Sequence, residues 1–232
     1  MNVLLASNNA HKYKEITGIL KDRDAIVTIV RPKDLGFAFD VEETGASFAD
    51  NAFLKAEALA ELIRGRVHPG VSLDQSVRVI RERVQEAFGS SLPPVLADDS
   101  GICVHALDNR PGVYSARYGN SPEGPPLDDE GRNALLLREL HGVEDRTAHY
   151  VCHAVLYYDR DRYIQVQETW SGEIAHEPIT GETGFGYDPI FLIPTLEQTV
   201  ARIPQQHKDR ISHRAKAVGT IAHAAGWSAI SA

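Results

Sequence analysis

The run VLADDSGICVHAL, residues 95–107, constrains this chain most. Apolar residues flank Asp98 and Asp99, so the two acids lie between segments that a fold would bury. Burying adjacent like charges is costly unless a cation compensates them or only one of the pair is truly inside. Neighbours in an extended chain point to opposite faces, so the two carboxylates need not crowd one site. Ser100 and Gly101 read as a turn that lets a ligand approach, with ICVHAL as a second strand after it.

Strand and helix patterns alternate around this run. NVLLA (2–6) is a short apolar strand, and the polar turn SNNAH leads to KYKEITGIL, whose Ile16, Ile19 and Leu20 share a helical face. DAIVTIV is β-branched and strand-like. RPKDLGF reads as a loop, and Ser47 or Asp50 is placed to cap a helix carrying Phe53, Leu54, Ala58 and Ile63. After a loop at 64–72, the spacing predicts an amphipathic helix over 73–88. Its stripe is Val77, Ile80, Val84 and Phe88, and Gly89 is its stop. Beyond the acid pair come the helix RNALLLREL and two β-rich runs, AHYVCHAVLYYD and RYIQVQETWSGEI. GETGFGYDPIFLIP follows as a glycine-rich turn and strand, and SHRAKAVGTIAHAAGW as a C-terminal helix. The alternation predicts an α/β fold with a largely covered sheet.

A chain of 232 residues is long enough to bury a core without covalent staples. The two cysteines, Cys103 and Cys152, lie in apolar runs and read as buried thiols of a reducing compartment, which predicts a cytoplasmic protein. No apolar run approaches membrane-spanning length, and MNVLLASNN lacks the pattern of a signal peptide. The formal charge of −8 argues against a nucleic-acid footprint, which needs a basic face, but leaves room for a small anion in a locally basic site.

Four segments carry candidate chemistry, each with a plainer alternative. SNNAHK (7–12) has the strand–turn–helix form that receives anions at a helix N-terminus, or is an ordinary capped turn. GETGFGYDP (181–189) offers close backbone approach and two aromatic faces for a base, or is a hairpin turn. KDRISHRAKA gathers cations able to hold phosphate or read a purine edge, or is a solvated helix start. HYVCH (149–153) has histidines four apart, a zinc spacing only on a helix; in this strand-like run they lie too far apart to clamp one ion. The carboxylates of VEETG and ADDSG form a further pair of turns able to share a magnesium ion.

Taken in order, LLASNNAHK, EETGASFADNAFLKA, LADDSG, PGVYSARY, GFGYDPIF and SHRAKA closely resemble the inosine triphosphate pyrophosphatase family, from Leu4 to the C-terminal helix. The resemblance implies an elongated two-lobed α/β fold around a long mixed sheet, with an active-site cleft between lobes, in a homodimer that uses Mg2+. It implies hydrolysis of noncanonical purine nucleoside triphosphates (ITP, dITP, XTP) to the monophosphate and pyrophosphate. By motif, Ser7, Asn8, Asn9, Ala10, His11 and Lys12 resemble the phosphate-binding turn. Glu43 resembles a metal-binding glutamate, with adjacent Glu42 leaving that register open. Asp99 matches the proton acceptor and second metal ligand, and Ser100 a substrate contact. Lys55 and Arg117 add positive charge. Phe185, Gly186, Tyr187 and Asp188 resemble the base-binding loop, and Lys208, His213 and Arg214 further nucleotide contacts. A donor such as Arg214 or a backbone N–H would pair with the purine oxygen that adenine lacks.

One departure stands out. The family joins the helix of FADNAFLKA to ADDSG by a short link, whereas residues 65–94 here insert a loop and a helix into what is otherwise a single two-lobed domain. The alternatives to this reading are a related pyrophosphatase acting on dUTP, dTTP or methylated nucleotides, and a nucleotide-binding protein without turnover.

Overall fold

A computed structural model of the chain describes residues 1–89, 92–121, 123–181 and 184–227. Strand β1 (Asn2–Leu5) leads into helix α1 (Ala10–Asp22), and β2 (Thr28–Val30) returns beside β1 in parallel. The segment 32–35, expected to be loop, is a 3-10 turn closed by Gly36 at φ 75°. Then come β3 (Phe39–Val41), α2 (Phe48–Ile63), β4 (Val71–Leu73) and α3 (Val77–Phe88). Strand β5 (Val95–Val104) holds the acid pair and is followed by α4 (Asp129–Glu139). Two long strands, β6 (Thr147–Asp159) and β7 (Arg162–Ile174), precede β8 (Phe191–Ile193), β9 (Gln198–Thr199), α5 (Gln205–Ile211) and α6 (His213–Ala224).

Seven strands form one mixed sheet in the order β2-β1-β5-β6-β7-β8-β9, and β3 pairs with β4 in a second, two-stranded sheet. β5 pairs in parallel with β1, and nearly every residue of β5 is buried, as befits an apolar strand covered on both faces. The chain divides into two compact units. One comprises Met1–Asp99, His153–Gln167 and Arg214–Ala232; the other comprises Ser100–Cys152 and Glu168–His213. Strands β5, β6 and β7 therefore each run from one unit into the other. Each unit has its own apolar core. Leu4, Leu59, Leu62, Val95 and Tyr157 belong to the first, and Ile102, Leu136, Trp170 and Phe191 to the second.

Local chemistry accounts for the helices. Ser47 and Asp50 form a reciprocal capping box at the start of α2: the Ser47 N–H donates to the Asp50 carboxylate at 3.0 Å, and the Asp50 N–H to Ser47 Oγ at 3.2 Å. Ser76 caps α3, and Gly89, at φ 70°, closes it. The expected helix over 73–88 starts at Val77. Leu73 belongs instead to β4, whose pairing with β3 (Phe39 opposite Leu73, Val41 opposite Val71) has no local signature. Ser90 and Ser91, Pro122 of the acidic connector and Glu182 and Thr183 of the glycine-rich motif lie outside the described residues.

The turn expected at Ser100–Gly101 does not exist, and ICV is not a separate strand, because β5 passes through both residues. Gly101 answers a packing demand instead. A Cβ there would lie 2.3 Å from Ser115 Oγ and 2.5 Å from the Gly112 carbonyl oxygen. Ser115 Oγ is fixed in place, accepting from the Ile102 N–H at 2.9 Å and donating to the Gly112 carbonyl at 2.6 Å.

Helix α3 is integral to the first core: Ile80 and Val84 are fully buried with Leu59, Leu62 and Ile63 of α2. Ile80→Ala should therefore cost about 2–4 kcal/mol by lost burial plus cavity. Urea denaturation measures this, and an unchanged midpoint would show that α3 is not part of that core.

Candidate active site

In the first unit, two turns, strand β5 and helices α1, α2 and α6 bring charged side chains together. Asn9 is the N-cap of α1, and its Oδ1 accepts from the N–H groups of His11 at 2.8 Å and Lys12 at 3.1 Å. Two amides at this helix N-terminus are thus already satisfied by the cap. Ser7 Oγ accepts from the Asn9 N–H at 3.2 Å, and Asn8 Nδ2 donates to the Phe39 carbonyl of β3 at 2.7 Å. Asn8, Asn9, Ala10 and His11 are exposed, whereas Ser7 and Lys12 are half-buried.

The acid pair divides as strand alternation requires. Asp98 is 1% exposed and faces Lys12 Nζ at 3.0 Å, with Arg214 Nε and Nη2 each at 3.3 Å. Arg214 also donates to Glu15, and is itself 2% exposed. Asp99 meets Lys55 Nζ at 2.8 Å and accepts from Asn51 Nδ2 at 3.3 Å. Lys55 Nζ also reaches Glu43 at 3.0 Å. Glu42 is exposed and donates its backbone N–H to Gly70, so it is Glu43 that shares a focus with Asp99.

Burial would raise the Asp98 carboxyl, but Lys12, Arg214 and Lys55 together outweigh it and hold that group well below the usual carboxylate range. Burial would lower the Lys55 ammonium, yet Asp99, Glu43 and Asp98 keep it above the ordinary lysine value. Lys55 therefore stays charged. With two carboxylates around one ammonium, the trio keeps one negative charge in excess. Its donor set of carboxylate oxygens suits a hard cation such as magnesium. Among the described residues no group of three or more His, Cys, Asp or Glu is arranged to hold a metal. An ion held by Glu43 and Asp99 would complete its shell with water and phosphate oxygens, which is magnesium's habit.

Asn51 escaped sequence reasoning. It is fully buried, and while Nδ2 reaches Asp99, its Oδ1 accepts from the Gly45 N–H at 2.8 Å. One amide therefore links the VEETG turn to the carboxylate of β5. The signal that could have found it is a polar residue on the buried face of α2, beside Ala52 and Ala56.

In the second unit, Asp188 organises the glycine-rich loop. Its carboxylate, 3% exposed, accepts from Lys208 Nζ at 2.7 Å, the Phe185 N–H at 3.0 Å and the Tyr150 hydroxyl at 3.2 Å. Lys208 Nζ also lies 5.0 Å from the centroid of the half-buried Phe185 ring. Tyr187 points inward, 4% exposed, and donates its hydroxyl to the Ser115 carbonyl at 2.9 Å. Gly186 adopts φ 62°, a conformation that favours glycine. His213 stacks on Tyr150 with centroids 4.6 Å apart and planes 6° from parallel. Arg117 lies over the Tyr114 ring at 5.1 Å, and Ser100 is half-buried. The cluster KDRISHRAKA is not a solvated helix start, since Lys208, Asp209, Ser212, His213 and Arg214 are all buried. His149 pairs with His105, and His153 with Gln167, so the two histidines of HYVCH have different partners. Both cysteines are buried free thiols, and burial pushes Cys103 up to about 11.

Asp98→Asn leaves Lys12 and Arg214 without their shared carboxylate and should cost about 3–5 kcal/mol at pH 7. Because the folded carboxyl is depressed, the stabilisation it gives is complete above the unfolded value of about 3.9 and disappears as pH falls further. The stability gap between wild type and variant should thus narrow below about pH 4. Denaturation at stepped pH checks this; a gap constant down to strongly acid pH would sink the assignment.

The sequence matches the model of the Ham1 family over residues 3–224. It is 39% identical over 221 residues to a dITP/XTP pyrophosphatase of Treponema denticola, covering 95% of this chain and 96% of that protein. A protein of the same description from Leptospira interrogans is 39% identical over 218 residues, covering 94% and 93%. Among solved structures, a HAM1 protein from Coxiella burnetii superposes with a TM-score of 0.71 at 31% identity, covering 97% of this chain and 98% of that one. The Staphylococcus aureus Ham1 protein gives 0.67 at 32% identity, with the same coverage. The mixed seven-stranded sheet and this match over nearly the whole length agree, and the chain belongs to the Ham1 family.

Proposed function

We propose that this chain hydrolyses noncanonical purine nucleoside triphosphates (ITP, dITP and XTP) to the monophosphate and pyrophosphate, with Mg2+ as the metal. The observation that carries the reading is the convergence of Glu43 and Asp99 on Lys55, in a chain whose relatives are named dITP/XTP pyrophosphatases. Glu43 and Asp99 would hold the ion, which when bound neutralises phosphate charge and makes a water easier to deprotonate.

The chain's own residues do the rest. Asp99 accepts the proton of the water whose attack on phosphorus breaks the anhydride bond between the α and β phosphates, with pyrophosphate as the leaving group. Asn51 fixes the rotamer of Asp99 through its Oδ2, so the carboxylate is already oriented before substrate arrives. Lys55, kept protonated by its acids, balances charge beside Asp99, and Lys12 brings a second ammonium beside the Ser7–Asn9 turn. Asp98 takes no proton; it holds Lys12 and Arg214 in position.

Phe185 offers a ring face for the base, and Lys208 and Asp188 set that ring's surroundings. Hypoxanthine and xanthine present an acceptor oxygen where adenine has an amino group. A donor at that position leaves adenine's amino group unpaired, which costs adenine nucleotides binding. The N–H groups of Phe185 and Gly186 are already committed to carboxylates within the protein, so a donor to the base comes from elsewhere. A homodimer is part of the same proposal, and sedimentation velocity tests it. No helix among the described residues is long and apolar enough to cross a membrane.

Pyrophosphate release should be much faster from ITP, dITP and XTP than from ATP or GTP, and a chelator should abolish it until Mg2+ is restored. Equal rates on all five nucleotides would overturn the substrate assignment. Asp99→Asn should lose about 100-fold or more in kcat, the range typical of a general base, without loss of the folded state by circular dichroism. A variant as active as wild type would remove Asp99 from the role.

A further inference from the structure

Helix α4 reaches the glycine-rich loop through two side chains that no motif marks. Asp129 and Asn133 are four residues apart and so share a face of the helix. Asp129 Oδ2 accepts from the Gly186 N–H at 2.7 Å, and Asn133 Nδ2 donates to the Gly186 carbonyl at 3.0 Å. Both polar groups of one peptide position are thereby held from one helix. Arg132 pairs with the other oxygen of Asp129 and steadies it.

Asn133 is expensive to keep. It is 4% exposed, and its Oδ1 has no hydrogen-bond partner. A buried, unpaired amide oxygen costs stability that leucine would not incur at this site. Flipping the amide would set oxygen against the Gly186 carbonyl, so the orientation is dictated by the loop. What the amide supplies in return is its bond to Gly186.

Gly186 is itself required by conformation, not by space. Its φ is 62°, yet a Cβ there would meet nothing within 4 Å. The loop's shape therefore has to be stabilised by bonds. Phe185 is bracketed by them: its own N–H is fixed by Asp188, and the next residue is fixed by α4.

We infer that Asp129 and Asn133 are positioning residues for base recognition, holding Gly186 so that the Phe185 face is presented in one place without touching the nucleotide themselves. This deepens the proposed function and rests on its assignment of the loop to the base. The test compares Asp129→Ala and Asn133→Leu with Asp129→Asn, which retains an acceptor, and with Glu130→Ala, which removes an exposed first-turn acid of α4 with no bond to the loop.

The first two variants should raise the KM for ITP about fivefold or more with kcat within about twofold, the signature of lost binding without lost chemistry. Amide exchange at 184–188 should accelerate in the same two. The Asp129→Asn and Glu130→Ala proteins should behave as wild type. Unchanged KM and unchanged exchange in the first two variants would overturn the inference. So would KM, kcat and melting temperature shifting together, Glu130→Ala included, because that is general loosening of the helix. If the wild-type protein hydrolyses no ITP, the substrate assignment fails separately, and exchange at 184–188 still decides whether α4 fixes the loop.

Discussion

The alternation of side chains along β5 is the constraint on which the candidate chemistry depends. It converts a repulsive sequence, two consecutive aspartates in an apolar strand, into two separate electrostatic tasks. Asp98 goes to Lys12 and Arg214, and Asp99 to Lys55. Each carboxylate lies almost wholly out of water, and each would be intolerable there without its cations. Displacing the strand by one residue would exchange the two sets of partners, so the register with β1 (Leu4 opposite Val95, Leu5 opposite Leu96) guards the chemistry as much as the fold.

This arrangement has a functional logic. Asp98 has its charge met by Lys12 and Arg214 through Oδ2 and has become part of the frame, while its Oδ1 is buried without a hydrogen-bond partner. Asp99 and Glu43 share one ammonium between two carboxylates, and so retain appetite for a further cation. The asymmetry is between fixed charges that hold their places and a nearby pair in which one ammonium serves two carboxylates.

Much of this was legible in the sequence where the determinants are local. Ser47 with Asp50, and Gly89, announce helix ends because caps act within three or four residues. The ordered motifs carried the family. What stayed hidden is nonlocal. Strand β4 is three residues long and finds its partner 30 to 34 positions earlier. Gly101 looks like a turn residue, yet its lack of a side chain serves Ser115 and Gly112 across the strand. The buried state of Lys208 and Arg214 depends on Asp188, Glu15 and Asp98, all distant in sequence. Asn51 and Asn133 act as single amides inside helical patterns, where no spacing rule singles them out.

The segment between α2 and β5 carries a consequence of its own. Added length in a protein commonly hangs from the surface and can be trimmed. Here β4 lies against β3, the Gly70 carbonyl receives the N–H of Glu42, and Phe39 of β3 accepts from Asn8. The segment is thus paired to the strand and turn that lead to Glu43, and that same strand accepts from Asn8. An edit made in these residues for convenience, to shorten a loop or attach a tag, would be felt first at β3 and the turn that bears Glu43, although that turn lies well before it in sequence.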